Sequence, residues 1–409
     1  MRSQSFLEMR RRNALSIVAI VREHGDISRA DLARAANLSP ATVSSIVDDL
    51  LQAGVLKETG AKASTRGRRP IGLTFNARSR LAAGISIEPE FIRMALCDLD
   101  GYPISEATHK HAFEENIPLL TNFLVARLKD LLKGSGNPFK RLGAIGIALP
   151  GPISNDQTSM LDSVGMPTAT IEYQRLWALL EQKLRRPIII DSHVNMAVLA
   201  ENTLGSPKPP ESLLLVRLGP VIRSAFLVHG AVVHGQRGSA GELGHVPVPG
   251  NTRRCRCRND GCLNTIAANG AVVDTCRSQG IEVTTVAEVL DGARAGNAVC
   301  SAAVAEIARG VGFALAMAIN LLGPHRVIVS GSLTTGGDMF LVPLLATARR
   351  YALPNNFDKC VISGSILQQK GEPIGAALRV LQLQLDGLLI DVVGYGDLRA
   401  ARPAEASPS

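Results

Sequence analysis

The chain has 409 residues, 46% hydrophobic and 20% charged, an ordinary globular composition with room for two or three domains and a large core. Seven cysteines, an odd number with one tight cluster, argue against a disulfide framework and for a reducing compartment. No run of 18 uncharged apolar residues occurs, so no transmembrane helix and no membrane partner are expected, and the expected location is the cytoplasm.

The formal net charge is +8, and it is unevenly spread. Residues 1–80 hold 14 Lys and Arg against 7 Asp and Glu, a net of +7, which leaves +1 for the other 329 residues. A solvated basic face is the plain reading of such an excess. Here it coincides with a separate small domain, which favours a polyanionic partner.

The first segment, Arg10-Arg11-Arg12 followed by the apolar run 14–21, imitates a signal peptide. Arg22 and Glu23 close the run after eight residues, so it reads as a helix of roughly 8–23. Ser28 stands three before Asp31, a capping-box spacing that opens a second helix over about 29–36. Ser39 as N-cap and Pro40 at the first position open a third, running to about Ala53 with Gly54 as its stop. Val43, Ile46, Val47, Leu50 and Leu51 form its inward stripe. Ser39, Ala41, Thr42, Ser44 and Ser45 remain outward near its start, small enough to enter a major groove as a recognition helix does. Asp48 and Asp49 should point away from phosphate. Residues 56–58 and 71–74 read as the two strands of a wing, with Arg66, Arg68 and Arg69 projecting from the loop between them. Such a loop suits phosphate contact or entry into a narrow minor groove; alone it suits a linker equally well. With the three helices before it, it points to double-stranded DNA.

Beyond residue 80, strand-like and helix-like stretches alternate. Strands are expected at 82–87, 91–98, 142–149 and 188–191, with a helix at about 195–204. A second set follows at 213–217, 224–228, 231–234, 327–330 and 360–363, with helices near 285–295, 300–322 and 374–385. Two groups of strands, each followed by helices, argue an α/β protein of two lobes with a cleft between them. Within the second group lies His245-x9-Cys255-x-Cys257-x4-Cys262. Three thiolates and an imidazole close a four-ligand set of the kind that holds structural Zn2+, with no position left open for water. Ordinary buried thiols are the competing account.

These motifs resemble the ROK family of repressors and kinases over about residues 10–390. The resemblance rests on Gly241-Glu242-Leu243-Gly244-His245 with the three cysteines, and on the 146–152, 327–332 and 374–378 segments. It implies an N-terminal winged helix-turn-helix, residues 1–79, followed by a two-lobed actin-like, hexokinase-like ROK domain, residues 80–400. Lobe 1 would be about 80–204 plus a C-terminal helix of about 374–400, lobe 2 about 205–373, and residues 401–409 a disordered tail. Family kinases open on a glycine-rich Asp-x-Gly-Gly-Thr-like hairpin, but this chain has Ser86-Ile87-Glu88-Pro89-Glu90, where two carboxylates and a proline oppose a nucleotide. The resemblance also implies hexose ligands at Ser192, His193, Glu242, His245 and Asn264. Glu242 and His245 match the family pattern. Ser192 and His193 replace an Asn-Asp pair, and Asn264 replaces a Glu. The expectation is a sugar-responsive DNA-binding regulator, a repressor rather than an enzyme, acting as a homodimer or homotetramer. A sugar kinase fused to a DNA-binding module is the alternative.

Overall fold

The computed structural model describes residues 2–61, 71–88, 90–111, 116–154, 173–206 and 209–393. The N-terminal domain is three helices and a small sheet: α1 (Arg2–His24), β1 (Ile27–Ser28), α2 (Arg29–Ala36), α3 (Pro40–Gln52), β2 (Leu56–Ala61) and β3 (Ile71–Phe75). Ser28 caps α2 by accepting from the Asp31 amide at 3.2 Å, and Ser39 caps α3 by accepting from the Thr42 amide at 3.1 Å. The stripe expected on α3 is the core: Val43, Ile46, Val47 and Leu50 are fully buried against Ala14, Ile17 and Val21 of α1 and Leu32 of α2. The sheet has a third strand that the sequence hid, since β1 is only two residues long and pairs Ile27 with Leu73. The wing arginines Arg66, Arg68 and Arg69 and the tail 401–409 lie outside the described residues.

The rest of the chain builds one topology twice. The first lobe contains β4 (Leu81–Ile87), β5 (Phe91–Asp98), β6 (Pro103–Lys110), α4 (Ile117–Gly134), β7 (Leu142–Leu149), α5 (Tyr173–Leu184), β8 (Ile188–Ser192) and α6 (His193–Leu204). Its sheet order is β6-β5-β4-β7-β8, an antiparallel meander joined to a parallel pair. The second lobe contains β9 (Ser212–Leu218), β10 (Arg223–Val228), β11 (Ala231–Val232), α7 (Asn264–Ala267), α8 (Asn269–Arg277), α9 (Val286–Arg294), α10 (Ala298–Leu322), β12 (Arg326–Gly331), α11 (Asp338–Tyr351), α12 (Pro354–Asp358) and β13 (Val361–Gly364). Its order, β11-β10-β9-β12-β13, repeats the first. Strand β6 escapes a sequence reading because it is an edge: its alternate positions are exposed and carry Glu106, Thr108 and Lys110.

Helix α13 (Gly371–Val393) then returns to the first lobe. Glycines let it sink onto the sheet. A Cβ on Gly84 would stand 1.7 Å from the Pro373 carbonyl oxygen, and one on Gly146 would stand 2.0 Å from that of Ala376. Helix α6 is buried on both sides. Val194, Met196, Val198 and Leu199 pack with Leu213, Leu215 and Leu227 of the second sheet, so the two lobes share an apolar seam. Helix α10 is long and apolar enough to cross a membrane by length and composition, yet two-thirds of that stretch is buried within the second lobe. Gly310 and Gly312 serve that burial. A Cβ on Gly310 would meet Ile266, and one on Gly312 would meet the Leu344 carbonyl of α11.

Candidate functional site

The N-terminal end of α3 is preset by its neighbours. Ala41 and Ser45 are exposed, and Thr42 and Ser44 half-exposed, while the Ser39 and Thr42 hydroxyls bond to each other at 2.8 Å. Arg10 of α1 donates to the Ser45 hydroxyl at 2.9 Å and pairs with Asp49. Arg29 at the start of α2 pairs with Asp48 at 2.7 Å. Both carboxylates of α3 are thus matched by guanidiniums of their own domain, which reduces the repulsion that two bare acids would show toward a polyanion.

In the second lobe the donor atoms of His245, Cys255, Cys257 and Cys262 all lie within 4.8 Å of one another. Cys255 Sγ is 3.7 Å from His245 Nδ1, and Cys257 Sγ is 3.5 Å from Cys262 Sγ. The edges of a tetrahedron with zinc–sulfur bonds of about 2.3 Å are roughly 3.6–3.8 Å long, so the spacing fits such an ion. The knuckle is built by backbone pairing: Pro247 bridges Cys262, and Arg254 bridges Asp260. Beyond the second bridge, toward the tip of the loop, Cys255 N–H donates to the Asn259 carbonyl at 2.8 Å. Gly261 sits at φ +78, and a Cβ there would come 2.7 Å from the Asn251 carbonyl oxygen. Two braces were not legible beforehand. The Asn251 amide donates to Cys262 O at 3.2 Å and to Thr265 Oγ1 at 2.8 Å, and Arg253 donates to Thr265 O at 3.1 Å. Burial pushes the Cys262 thiol up to about 12, whereas the Asn259 amide draws Cys257 down.

The five expected sugar contacts fall into two groups. His245 and Asn264 line one cleft of about 460 Å³ in the second lobe. His245 turns Nδ1 toward Cys255 and leaves Nε2 3.8 Å from Glu242 Oε2. Glu242 is also paired with Arg223. Asn264 accepts from the Ile222 amide at 2.8 Å, so its side chain also ties the β9–β10 connection.

Ser192 and His193 belong to the seam between the lobes instead. Ser192 caps α6 by accepting from the Asn195 amide at 3.3 Å. His193 is buried, with Nε2 3.1 Å from the Ala148 carbonyl and Nδ1 3.1 Å from Arg217 Nη1. A guanidinium can only donate, so Nδ1 accepts and the ring is neutral, with its proton on Nε2. Burial, aided by Arg217, pushes the His193 pKa down to about 3.

Arg217 reaches across from β9 to Glu372 at 2.9 Å and lies 3.8 Å from Glu88. Ser86 Oγ donates to Glu372 at 2.8 Å, and Arg93 pairs with Glu88. Burial raises the Glu88 pKa, and Glu372 raises it further. Glu88, at the end of β4, thus belongs to an ionic cluster with Arg93, Arg217 and Glu372. A second link across the seam joins His234 Nε2 to the buried Asp191 carboxylate at 2.9 Å. Glu372 was missed in the sequence; its one signal was a carboxylate beside Pro373, ahead of the apolar stretch 374–378.

The ROK family profile matches residues 82–382, and a winged helix-turn-helix DNA-binding profile matches residues 10–57. The chain belongs to the ROK family. It is 27% identical over 387 residues to the DNA-binding transcriptional dual regulator NagC of Escherichia coli, covering 92% of this chain and 94% of that one. It is 25% identical over 382 residues to the xylose repressor of Caldicellulosiruptor bescii, covering 90% and 95%. Among solved structures, a ROK family transcriptional regulator, homologue of the Escherichia coli Mlc protein, shares the fold with a TM-score of 0.79 at 23% identity, covering 94% of this chain and 99% of that one.

Proposed function

We propose that this ROK protein is a sugar-responsive DNA-binding transcriptional regulator, a repressor rather than a kinase. The observation that carries this reading is the pairing of a charge-matched recognition helix with a sugar-kinase-like domain whose hairpin mouth holds Glu88, Arg93, Arg217 and Glu372. Repressors with a full-length likeness to this chain support it. Residues 1–79 read double-stranded operator DNA through Ser39, Ala41, Thr42, Ser44 and Ser45 of α3 and through Arg66, Arg68 and Arg69 of the wing. Residues 80–400 sense the effector. Glu242, as a pure acceptor, suits sugar hydroxyls, and His245 Nε2 faces it as a partner on the far side of the ring from the cysteines. Asn264 shares that cleft, and Ser192 with His193 sets the facing seam. A structural Zn2+ on His245, Cys255, Cys257 and Cys262 holds the ring for this task. A cytoplasmic homodimer or homotetramer presents paired recognition helices to a pseudo-palindromic operator. The effector acts by binding two arrangements of the lobes unequally.

The test is operator binding by the purified full chain, with sugars and sugar phosphates added one at a time. One of them should weaken binding at least tenfold. Specific DNA binding that no sugar moves would leave a constitutive binder, and ATP-dependent turnover of a hexose panel would replace the regulator by an enzyme.

A further inference from the structure

Arg217 and Glu372 stand on different lobes, and their contact is a polar junction between them. Glu372, only 2% exposed, takes a proton donor from each side: Arg217 of β9 at 2.9 Å and Ser86 of β4 at 2.8 Å. Arg217 is held in turn by neutral His193 at the start of α6. The four groups come from four elements, β4, α6, β9 and α13.

Glu372 also lies in the first turn of α13, and α13 leads away from the seam toward the DNA-binding domain. It packs along the first sheet and lies against both α1 and α3. A parallel route runs through the β5–β6 turn. Leu378 of α13 sits over Gly101, whose Cβ position is 2.3 Å from Leu378 Cδ2. The adjoining Leu99 carbonyl and Asp100 carboxylate receive Arg22 at the end of α1, the latter at 2.8 Å. The Arg22 guanidinium stacks 4.3 Å over Phe75 of β3. Packed side chains and ion pairs thus connect the lobe junction to the DNA-binding domain, a network of the kind through which two arrangements of the seam could be felt there.

We propose that Arg217 and Glu372 form a clasp that fixes the mounting of the DNA-binding domain, making both of them positioning residues that act on operator binding from the lobe seam. This rests on the reading of the protein as a DNA-binding regulator. An intact clasp holds the start of α13, and hence α1 and α3, in one arrangement. Breaking it loosens the mount, and a loosened head must be ordered again when it binds.

Hydrogen exchange on the full chain tests the clasp without DNA. In Glu372→Gln and in Arg217→Met, amides of 9–24 and 40–52 should exchange about tenfold faster than in the wild type. Acceleration confined to 371–376 would overturn the proposal, because the disturbance would then stop inside the lobe. Operator affinity should fall about tenfold in each variant, and no further in the double variant, since both act through one contact. Unchanged affinity, or additive losses, would likewise overturn it. Ser86→Ala, which removes a single bond to Glu372, should give the same pattern at smaller amplitude and serves if the charge variants do not fold. A wild type that selects no duplex from a random pool would refute the DNA-binding reading and leave the exchange experiment as the test of the clasp.

Discussion

Removing one sulfur from the knuckle probes what holds the 245–262 loop. Cys257→Ser should lower bound zinc from about one ion per chain to a small fraction, because three remaining donors do not close a structural site. Metal content by mass spectrometry, with a thermal melt showing earlier unfolding, checks this. Full occupancy in the variant would remove Cys257 from the ligand set. His193 offers a test of another kind. Its pKa in the fold is about 3 against an ordinary 6.5, so between those values the unfolded chain binds the proton more readily. The stabilisation from its neutral ring is complete above pH 6.5 and is lost as pH falls below it, by at most about 1.4 kcal/mol per pH unit. Urea midpoints measured from pH 7 to pH 4 should therefore fall less steeply in His193→Gln than in the wild type, and parallel curves would contradict the assignment. Of these two sites, the metal cluster was legible because its ligands are near neighbours in sequence. No local spacing announces the bond between His193 and Arg217, which arrives from another lobe.

Among the elements, α13 and the strands beneath it show how backbone proximity limits the choice of side chain. Gly146→Ala would place a methyl 2.0 Å from the Ala376 carbonyl oxygen, a contact only a shift of the whole helix can relieve. Overpacking of this kind costs about 1–3 kcal/mol, so the variant should unfold several degrees earlier, measured by circular dichroism at 222 nm. An unaltered melt would mean that α13 sits farther from the sheet. Strands β5 and β7 were legible to the residue, since each apolar run ends at a turn signal, Asp100-Gly101 or Pro150-Gly151. Helix α11 was not, in part because Pro343 lies within it and proline reads as a breaker. The inward stripe of α3 followed directly from its 3.6-residue period.

For the whole molecule, the charge asymmetry sets the ionic behaviour. The net +7 of the first 80 residues belongs to the reading head, and the sensor contributes almost nothing to long-range attraction. Replacing Arg68 and Arg69 together by Ala should weaken operator binding and reduce the slope of log affinity against log salt by up to about two, if each guanidinium meets one phosphate. Fluorescence anisotropy across a salt series measures this, and an unchanged slope would take the wing out of the interface. The two-lobed plan was visible as two successive groups of strands. Their identical strand order was not, because pairing between distant segments leaves no mark on either segment alone.

The burial of α10 has one more consequence. Its Gly310 is roofed by Ile266, Leu263 and Val248, three side chains on and around the cysteine knuckle. If the four donors hold a zinc ion, a chain made without it would lack the fastening for that roof and would uncover the Gly310 side of a helix otherwise packed into the second lobe. Such molecules would be more prone to capture by chaperones, and the supply of this regulator in the cell would then track the nutritional availability of a trace element as well as that of any carbohydrate.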